Sequence, residues 1–411
     1  MRIRALLPAL ALAALAAHAE PDAERLGADA GYPPGDSRTC AQERYRVACW
    51  SALDHVRGMQ VRRVAPSAAP LPLPAMANPP AIRYRFRNLE YTLDEYLERQ
   101  RATGILVLKD GQVVVERYRY GRQPDAHFLS FSMAKSVTSL LVGAALERGA
   151  IASLDDPADK YARSLQGSAY GGTSIRDLLH MSSGLTFSER YDGHDDVARM
   201  GLAFATAPDG NLSVLRSISE RHDPPGAVFR YASAETEVLG RVLAGATGKT
   251  LAELTQDWLW QPLGAESEAF WRIGRDGQEG ASGWFNATLR DWGRLGLLLA
   301  LDGRAGERQV VGRDYLLAAT DAAHQPEPFR PGYQGRGYGY GYQFWLLPYR
   351  ERSFALQGVY GQGVFVQPAS GIVMVVTSVW KDPSAQQDPA PAAERAALWR
   401  GVLRSLGGAA D

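Results

Sequence analysis

Strand-patterned segments stand at both ends of this chain, and the long stretch between them reads as helix and loop. Residues 104–109 (Gly-Ile-Leu-Val-Leu-Lys) and 112–118 flank Asp110-Gly111, a pair that favours the tight turn of a β-hairpin. Residues 340–347, 353–357, 363–367 and 372–379 again alternate or run apolar, with a turn at 368–371. Helical spacing marks 89–100, 132–148, 175–181, 236–246, 251–259, 292–301 and 395–406. Gly149 is placed to stop the second of these. That order predicts an α/β (α+β) protein in which one antiparallel sheet, drawn from both chain ends and flanked by helices, carries an inserted, mainly helical lobe over about residues 151–280.

The N-terminus has the form of a secretory signal over residues 1–19. Arg2 and Arg4 precede an apolar stretch, and Ala17-His18-Ala19 makes a cleavage site before Glu20. The expected location is therefore periplasmic or secreted. No later segment is long and apolar enough to span a bilayer, so no membrane span is expected after cleavage. Residues 20–84 form an N-terminal extension ending in a Pro/Ala-rich linker or surface-wrapping segment, and the main domain covers 85–405. Removing residues 1–19 leaves 43 basic against 45 acidic residues, a balance that offers no footprint for nucleic acid. Cys40 and Cys49, the only cysteines, are placed to close one local disulfide after export. The seven histidines form no metal-ligand spacing, so no metal and no cofactor are expected.

Three elements carry chemistry. Ser132-Met-Ala-Lys135 is an S-x-x-K run at the mouth of a helix, which sets hydroxyl and amine one turn apart on one face. A serine needs such a base before it can attack a carbonyl. About a hundred residues later, Tyr231-Ala-Ser233 precedes another helix, and a tyrosine beside a Ser–Lys pair can move a proton as base or as acid. Third, Gln357 to Gly363 holds three glycines on a C-terminal strand, where backbone can approach a ligand closely. No G-x-S-x-G elbow is present, which counts against an α/β-hydrolase.

In order and spacing over roughly residues 85–405, these elements resemble the serine hydrolases grouped with class C β-lactamases and penicillin-binding DD-peptidases. Leu178-Leu-His-Met-Ser-Ser-Gly-Leu185 and Ala246-Thr-Gly248 add to the resemblance. It is nearest to the 6-aminohexanoate-dimer hydrolase and esterase-like branch, with Tyr-x-Ser for Tyr-x-Asn and Gly358-Val-Tyr-Gly-Gln362 for Lys-Thr-Gly. The resemblance implies a β-lactamase/transpeptidase-like fold, with Ser132 as nucleophile, Lys135 as its base and Tyr231 as proton shuttle. It also implies an oxyanion hole from the N–H groups of Ser132 and Val359. Tyr191, Ser233, Asn286 and Gly358 would line the substrate site, and Asp192, Asp195 and Asp196 either recognise a substrate amine or form a solvated acidic loop. The expected partner is a small-molecule ester or amide. The alternatives are a β-lactamase or DD-peptidase, disfavoured by the missing lysine, and a non-catalytic envelope protein that kept the fold; oligomeric state stays open.

Overall fold

A computed structural model describes residues 20–411. The signal-peptide reading of residues 1–19 lies outside the described residues.

The main sheet has seven strands, each antiparallel to its neighbours. Their order is Gly339–Tyr340, Trp345–Leu346, Phe354–Gly358, Gln362–Gln367, Ile372–Ser378, Ala102–Lys109 and Gln112–Tyr118. The two chain ends meet where Ile372–Ser378 pairs with Ala102–Lys109, near the middle of the sheet. Alternation along Ala102–Lys109 sends Ile105 and Val107 to one face and Leu106 and Leu108 to the other. The first face is covered by Tyr96 and Leu97 of the helix Leu93–Arg99 and by Trp399 and Val402 of the closing helix Ala390–Ser405. The second face is covered by the helix Leu289–Ala300, through Leu289, Leu295 and Leu298. With both faces covered, each fully buried aliphatic side chain contributes about 1.5–3 kcal/mol.

The helix Met133–Glu147 is buried along nearly its whole length, lying between the main sheet and the helix Ser233–Thr247. Its first turn is tied to a second, four-stranded sheet of order Val61–Val64, Ala269–Arg272, Phe285–Thr288 and His127–Leu129. Ser130, just before the helix, donates its N–H to Phe285 O at 2.8 Å and accepts Phe285 N–H on its hydroxyl at 3.2 Å. The N-terminal extension is thus part of the body: its strand Val61–Val64 edges this sheet. The Pro/Ala-rich stretch wraps the surface, with Met76 N–H donating to Val113 O and Val113 N–H to Pro74 O, both at 2.8 Å. Cys40 and Cys49 are joined as a disulfide within the same extension.

Three expectations need correction. Residues 89–92 are strand, paired with Arg83–Phe86; the helix begins at Leu93, after a capping box in which Thr92 and Glu95 satisfy each other's backbone N–H. The segment 340–347 breaks into two short strands because Gln343 turns left-handed (φ 65°) between them. The glycine run at 358–362 is the connection of a hairpin: Gly358 ends one strand, Val359–Gly361 turns, and Gln362 starts the next.

Candidate active site

The first turn of Met133–Glu147 puts Lys135 Nζ 2.9 Å from Ser132 Oγ. The amine also donates to Ser282 O at 2.8 Å, which fixes its direction and leaves its remaining valence toward the hydroxyl. Ser282 is itself held: its N–H and its hydroxyl both donate to Glu237 Oε1, at 2.9 and 2.5 Å. Lys135 is only 1 % exposed. Burial draws its pKa down to about 8, against the opposing charges of Glu189 and Glu237. At pH 7 roughly a tenth of this lysine is therefore a free amine able to take the serine's proton, far more than for an ordinary lysine.

Tyr231 completes the cluster from just before the helix Ser233–Thr247. Lys135 Nζ lies 5.2 Å from the centre of its ring, and its hydroxyl is near enough to Ser132 for that neighbour to act on its pKa. Its ring stacks on Trp345 of the main sheet, with centroids 5.6 Å apart. Burial, then the nearby Glu189 charge, push the phenol well above its ordinary pKa, against the lowering hydrogen bond from Ser132. Tyr231 is thus a protonated phenol. Of the two roles open to it, proton donor fits the environment better than phenolate base, and amine and phenol are pushed apart into base and acid.

Ser132 stands where two arms of a cleft meet. The inner arm, about 130 Å³, runs between Met200, Phe204 and Trp284. The wide arm, about 620 Å³, is bounded by Tyr231, Trp345, Gly358 and Trp380. Ser132, Glu189, Tyr191 and Val359 face both arms. Gly358 closes the gap between sheet and nucleophile: a Cβ there would stand 2.4 Å from Ser130 O and 3.1 Å from Phe131 Cβ. Val359, the next residue, lines both arms of the cleft with Ser132.

Ser233 lines the inner arm, and Tyr191 reaches it on a left-handed residue (φ 59°). Both are pinned by a residue the sequence reading overlooked, Glu189. Its carboxylate accepts Tyr191 Oη–H at 2.6 Å, Ser233 N–H at 2.7 Å and Ser233 Oγ–H at 2.8 Å. Glu237, also overlooked, is held from its other oxygen by Asn211 Nδ2 at 3.0 Å. A Glu four residues into a helix carries no sequence mark of its own; only packing brings it beneath Ser282.

Asn286 does not join the cluster. It lies fully buried in the strand Phe285–Thr288, between Leu129 and Phe270, while Gly283 and Trp284 line the inner arm instead. The acidic loop also turns out to be structural. Asp195 caps the helix Asp196–Thr206 and accepts the N–H groups of Arg190 and Tyr191; Asp196 holds Ser188, and Asp192 pairs with Arg190.

A buried Ser–Lys–Tyr cluster at the seam between an antiparallel sheet and a helical lobe defines the class: a serine hydrolase. Residues 89–398 match the family model described as Beta-lactamase, and the chain belongs to that family. It is 28 % identical over 369 residues to the 6-aminohexanoate-dimer hydrolase of Paenarthrobacter ureafaciens, covering 87 % of this chain and 91 % of that one. Among solved structures, a Bacillus anthracis protein provisionally described as a 6-aminohexanoate-dimer hydrolase superposes with a TM-score of 0.78 at 23 % identity, over 89 % of this chain and 95 % of that one. The octameric penicillin-binding protein homologue of Pyrococcus abyssi gives 0.59 at 18 % identity, over 77 % and 76 %. These likenesses carry the β-lactamase/transpeptidase-like fold.

Proposed function

We infer that this enzyme cleaves a linear amide or ester through an acyl-enzyme on Ser132. The observation that carries the reading is the buried Lys135 amine 2.9 Å from Ser132 Oγ, with the Tyr231 ring centre 5.2 Å from the same amine. Lys135 takes the hydroxyl proton as Oγ attacks the carbonyl carbon. The carbonyl oxygen gathers charge and is held by the N–H groups of Ser132 and Val359. As the tetrahedral intermediate collapses, Tyr231 gives its proton to the departing nitrogen or oxygen and regains one from the Lys135 ammonium. Water then attacks the ester on Ser132, with Lys135 again as base, and the acid product leaves.

The relative from Paenarthrobacter ureafaciens, described as a 6-aminohexanoate-dimer hydrolase, supports a small linear amide as substrate. The run Gly358-Val-Tyr-Gly-Gln362 stands for the Lys-Thr-Gly of β-lactamases, and the missing lysine disfavours β-lactams. A periplasmic or secreted location is part of this proposal, supported by the sequence of residues 1–19 and by a disulfide. The test is a panel of p-nitrophenyl esters and p-nitroanilides on wild type and Ser132→Ala, with mass spectrometry of the trapped protein. Turnover and an acyl adduct on Ser132 are expected in wild type alone. Undiminished turnover by Ser132→Ala would overturn the reading.

A further inference from the structure

Lys135 stands at the head of a hydrogen-bond chain that runs away from the cleft. Its first link is Ser282 O, which accepts from Lys135 Nζ at 2.8 Å. Beyond it, the N–H and Oγ–H of Ser282 donate to Glu237 Oε1, and Asn211 Nδ2 donates to Glu237 Oε2 at 3.0 Å. Arg241 Nη2 then donates to Asn211 Oδ1 at 2.8 Å and meets Asp276 at 3.2 Å, where the chain ends. Asn211 gives to the carboxylate and takes from the guanidinium, so its amide has a single orientation in the chain.

The fold keeps these groups in line. Glu237 and Arg241 are four residues apart in the helix Ser233–Thr247 and share a face of it. Gly240 lets that helix close on the segment that carries Ser282: a Cβ there would stand 2.7 Å from Ala281 Cβ. Thr138, one turn beyond Lys135, grips the same segment by donating to Ala281 O at 2.9 Å. Asn211, Glu237 and Ser282 are all buried.

Glu237 accepts three hydrogen bonds and donates none, the set that an ionised carboxylate satisfies. Among the described residues no lysine or arginine pairs with it directly; Arg241 reaches it only through Asn211. A buried carboxylate without a direct partner is costly. Here its charge acts on Lys135, favouring the ammonium against the burial that favours the amine. Glu189 acts on the amine in the same sense, and Tyr231 is the other titratable group beside it. Glu279, which shares a small cavity with Glu237, is neutralised by Arg62 at 2.7 Å. When Lys135 takes the serine proton it becomes a cation, and negative charge fixed in advance stabilises it. We propose that Glu237 is a positioning residue for the base: through Ser282 it aims the Lys135 amine at Ser132, its charge stabilises the ammonium formed on proton transfer, and Asn211 and Arg241 hold that charge in place and moderate it. This rests on the acyl-enzyme reading above, in which Lys135 is the base.

The experiment separates charge from geometry through pH profiles of kcat/KM for a p-nitrophenyl ester, a substrate that does not itself titrate. Glu237→Gln removes the charge and sets one amide N–H group against that of Asn211. Its plateau should fall about tenfold or more, and its rising limb should move down by about one pH unit. In the double variant Glu237→Gln/Asn211→Asp the donors and acceptors match again, with the charge one link farther from Lys135 and beside Arg241. That variant should regain most of the lost plateau while its limb stays low. An unmoved limb in Glu237→Gln would overturn the proposal. So would a double variant that recovers neither plateau nor limb, or that recovers both. If a Glu237 variant does not fold, Arg241→Gln decides. It can still donate to Asn211 but no longer balances the carboxylate, so its limb should move to higher pH, and a limb that stays in place counts against the chain. Each of these failures sinks this inference alone, whereas turnover that survives in Ser132→Ala sinks the acyl-enzyme reading.

Discussion

The indole of Trp50 lies 4.7 Å from the ring of Tyr360, and Phe131 meets the same indole edge-on at 4.9 Å. Phe131 and Tyr360 are both left-handed, with φ of 43° and 61°, a conformation that costs an aromatic residue about 1–3 kcal/mol. One immediately precedes Ser132 and the other follows Val359. The N-terminal extension thus clamps the two backbone bends beside Ser132 and Val359, whose N–H groups are proposed to hold the oxyanion. Arg46 adds to the clamp, lying over the rings of Trp50 and Tyr360 and donating to Trp380 O at 2.8 Å and Lys381 O at 2.9 Å.

Relaxing that clamp should impair chemistry more than binding. Trp50→Ala is expected to lower kcat for a p-nitrophenyl ester about tenfold or more, with a smaller change in KM. Steady-state kinetics beside circular dichroism checks this, and an unchanged kcat in folded protein would refute it.

The glycine at 358 is a spacing device. Gly358→Ala must push the strand end away from Ser130 or move the nucleophile, because the added carbon would overlap a backbone oxygen. A displacement on that scale costs about a hundredfold in acylation rate. Stopped-flow burst kinetics would register it, and a wild-type burst would show that the gap is not needed.

The pH profile follows from Lys135. Its amine must be unprotonated to accept the serine proton, and its pKa is lowered to about 8. Rising pH converts ammonium to amine, so kcat/KM should climb through neutrality and level off above about 8. The Glu189 charge opposes the loss of that proton. Glu189→Gln should therefore shift the rising limb to lower pH while reducing the plateau, since Tyr191 and Ser233 lose their shared anchor. A limb that stays in place in the variant would show that Glu189 is electrostatically remote.

Glu235 makes a prediction about stability. It is buried beside Ser183, whose hydroxyl donates to it at 2.6 Å, and burial raises its pKa to about 8. Between its ordinary value near 4.5 and about 8, the folded state holds a proton that the unfolded state has released. Its contribution to stability is complete at acid pH and fades as pH rises through that window. Glu235→Gln should remove this decline, so the variant gains on wild type at pH 9 relative to pH 5. Urea midpoints at the two pH values measure the difference, and parallel curves would refute it.

Much of the architecture was legible because local signals agreed with it. Asp110-Gly111 carries the positive φ values its hairpin needs, 51° and 77°. The S-x-x-K helix announced itself through its apolar face, and the return of strand pattern at the end implied a sheet closed by both termini. What escaped was whatever depends on distant partners. Val61–Val64 is four residues long and finds its sheet only at Ala269–Arg272. The start of a helix at Leu93 was marked by Thr92 and Glu95, a signal weaker than the apolar spacing that ran past it. Glu189 sits among charged neighbours that do face solvent, so nothing local separates it from them. Asn286 illustrates the reverse, a polar residue near the right motif that the strand buries in a sheet.

The meeting of the chain ends in one sheet also sets a timetable. Ser132 and Lys135 are synthesised early, but Val359 follows by more than half the length of the chain, and the central strand Ile372–Ser378 later still. Until that strand pairs with Ala102–Lys109, the sheet that carries Val359 is not closed and Ser132 has no neighbour across the cleft. On the proposed mechanism, a growing chain would be catalytically silent until its last stretch is in place.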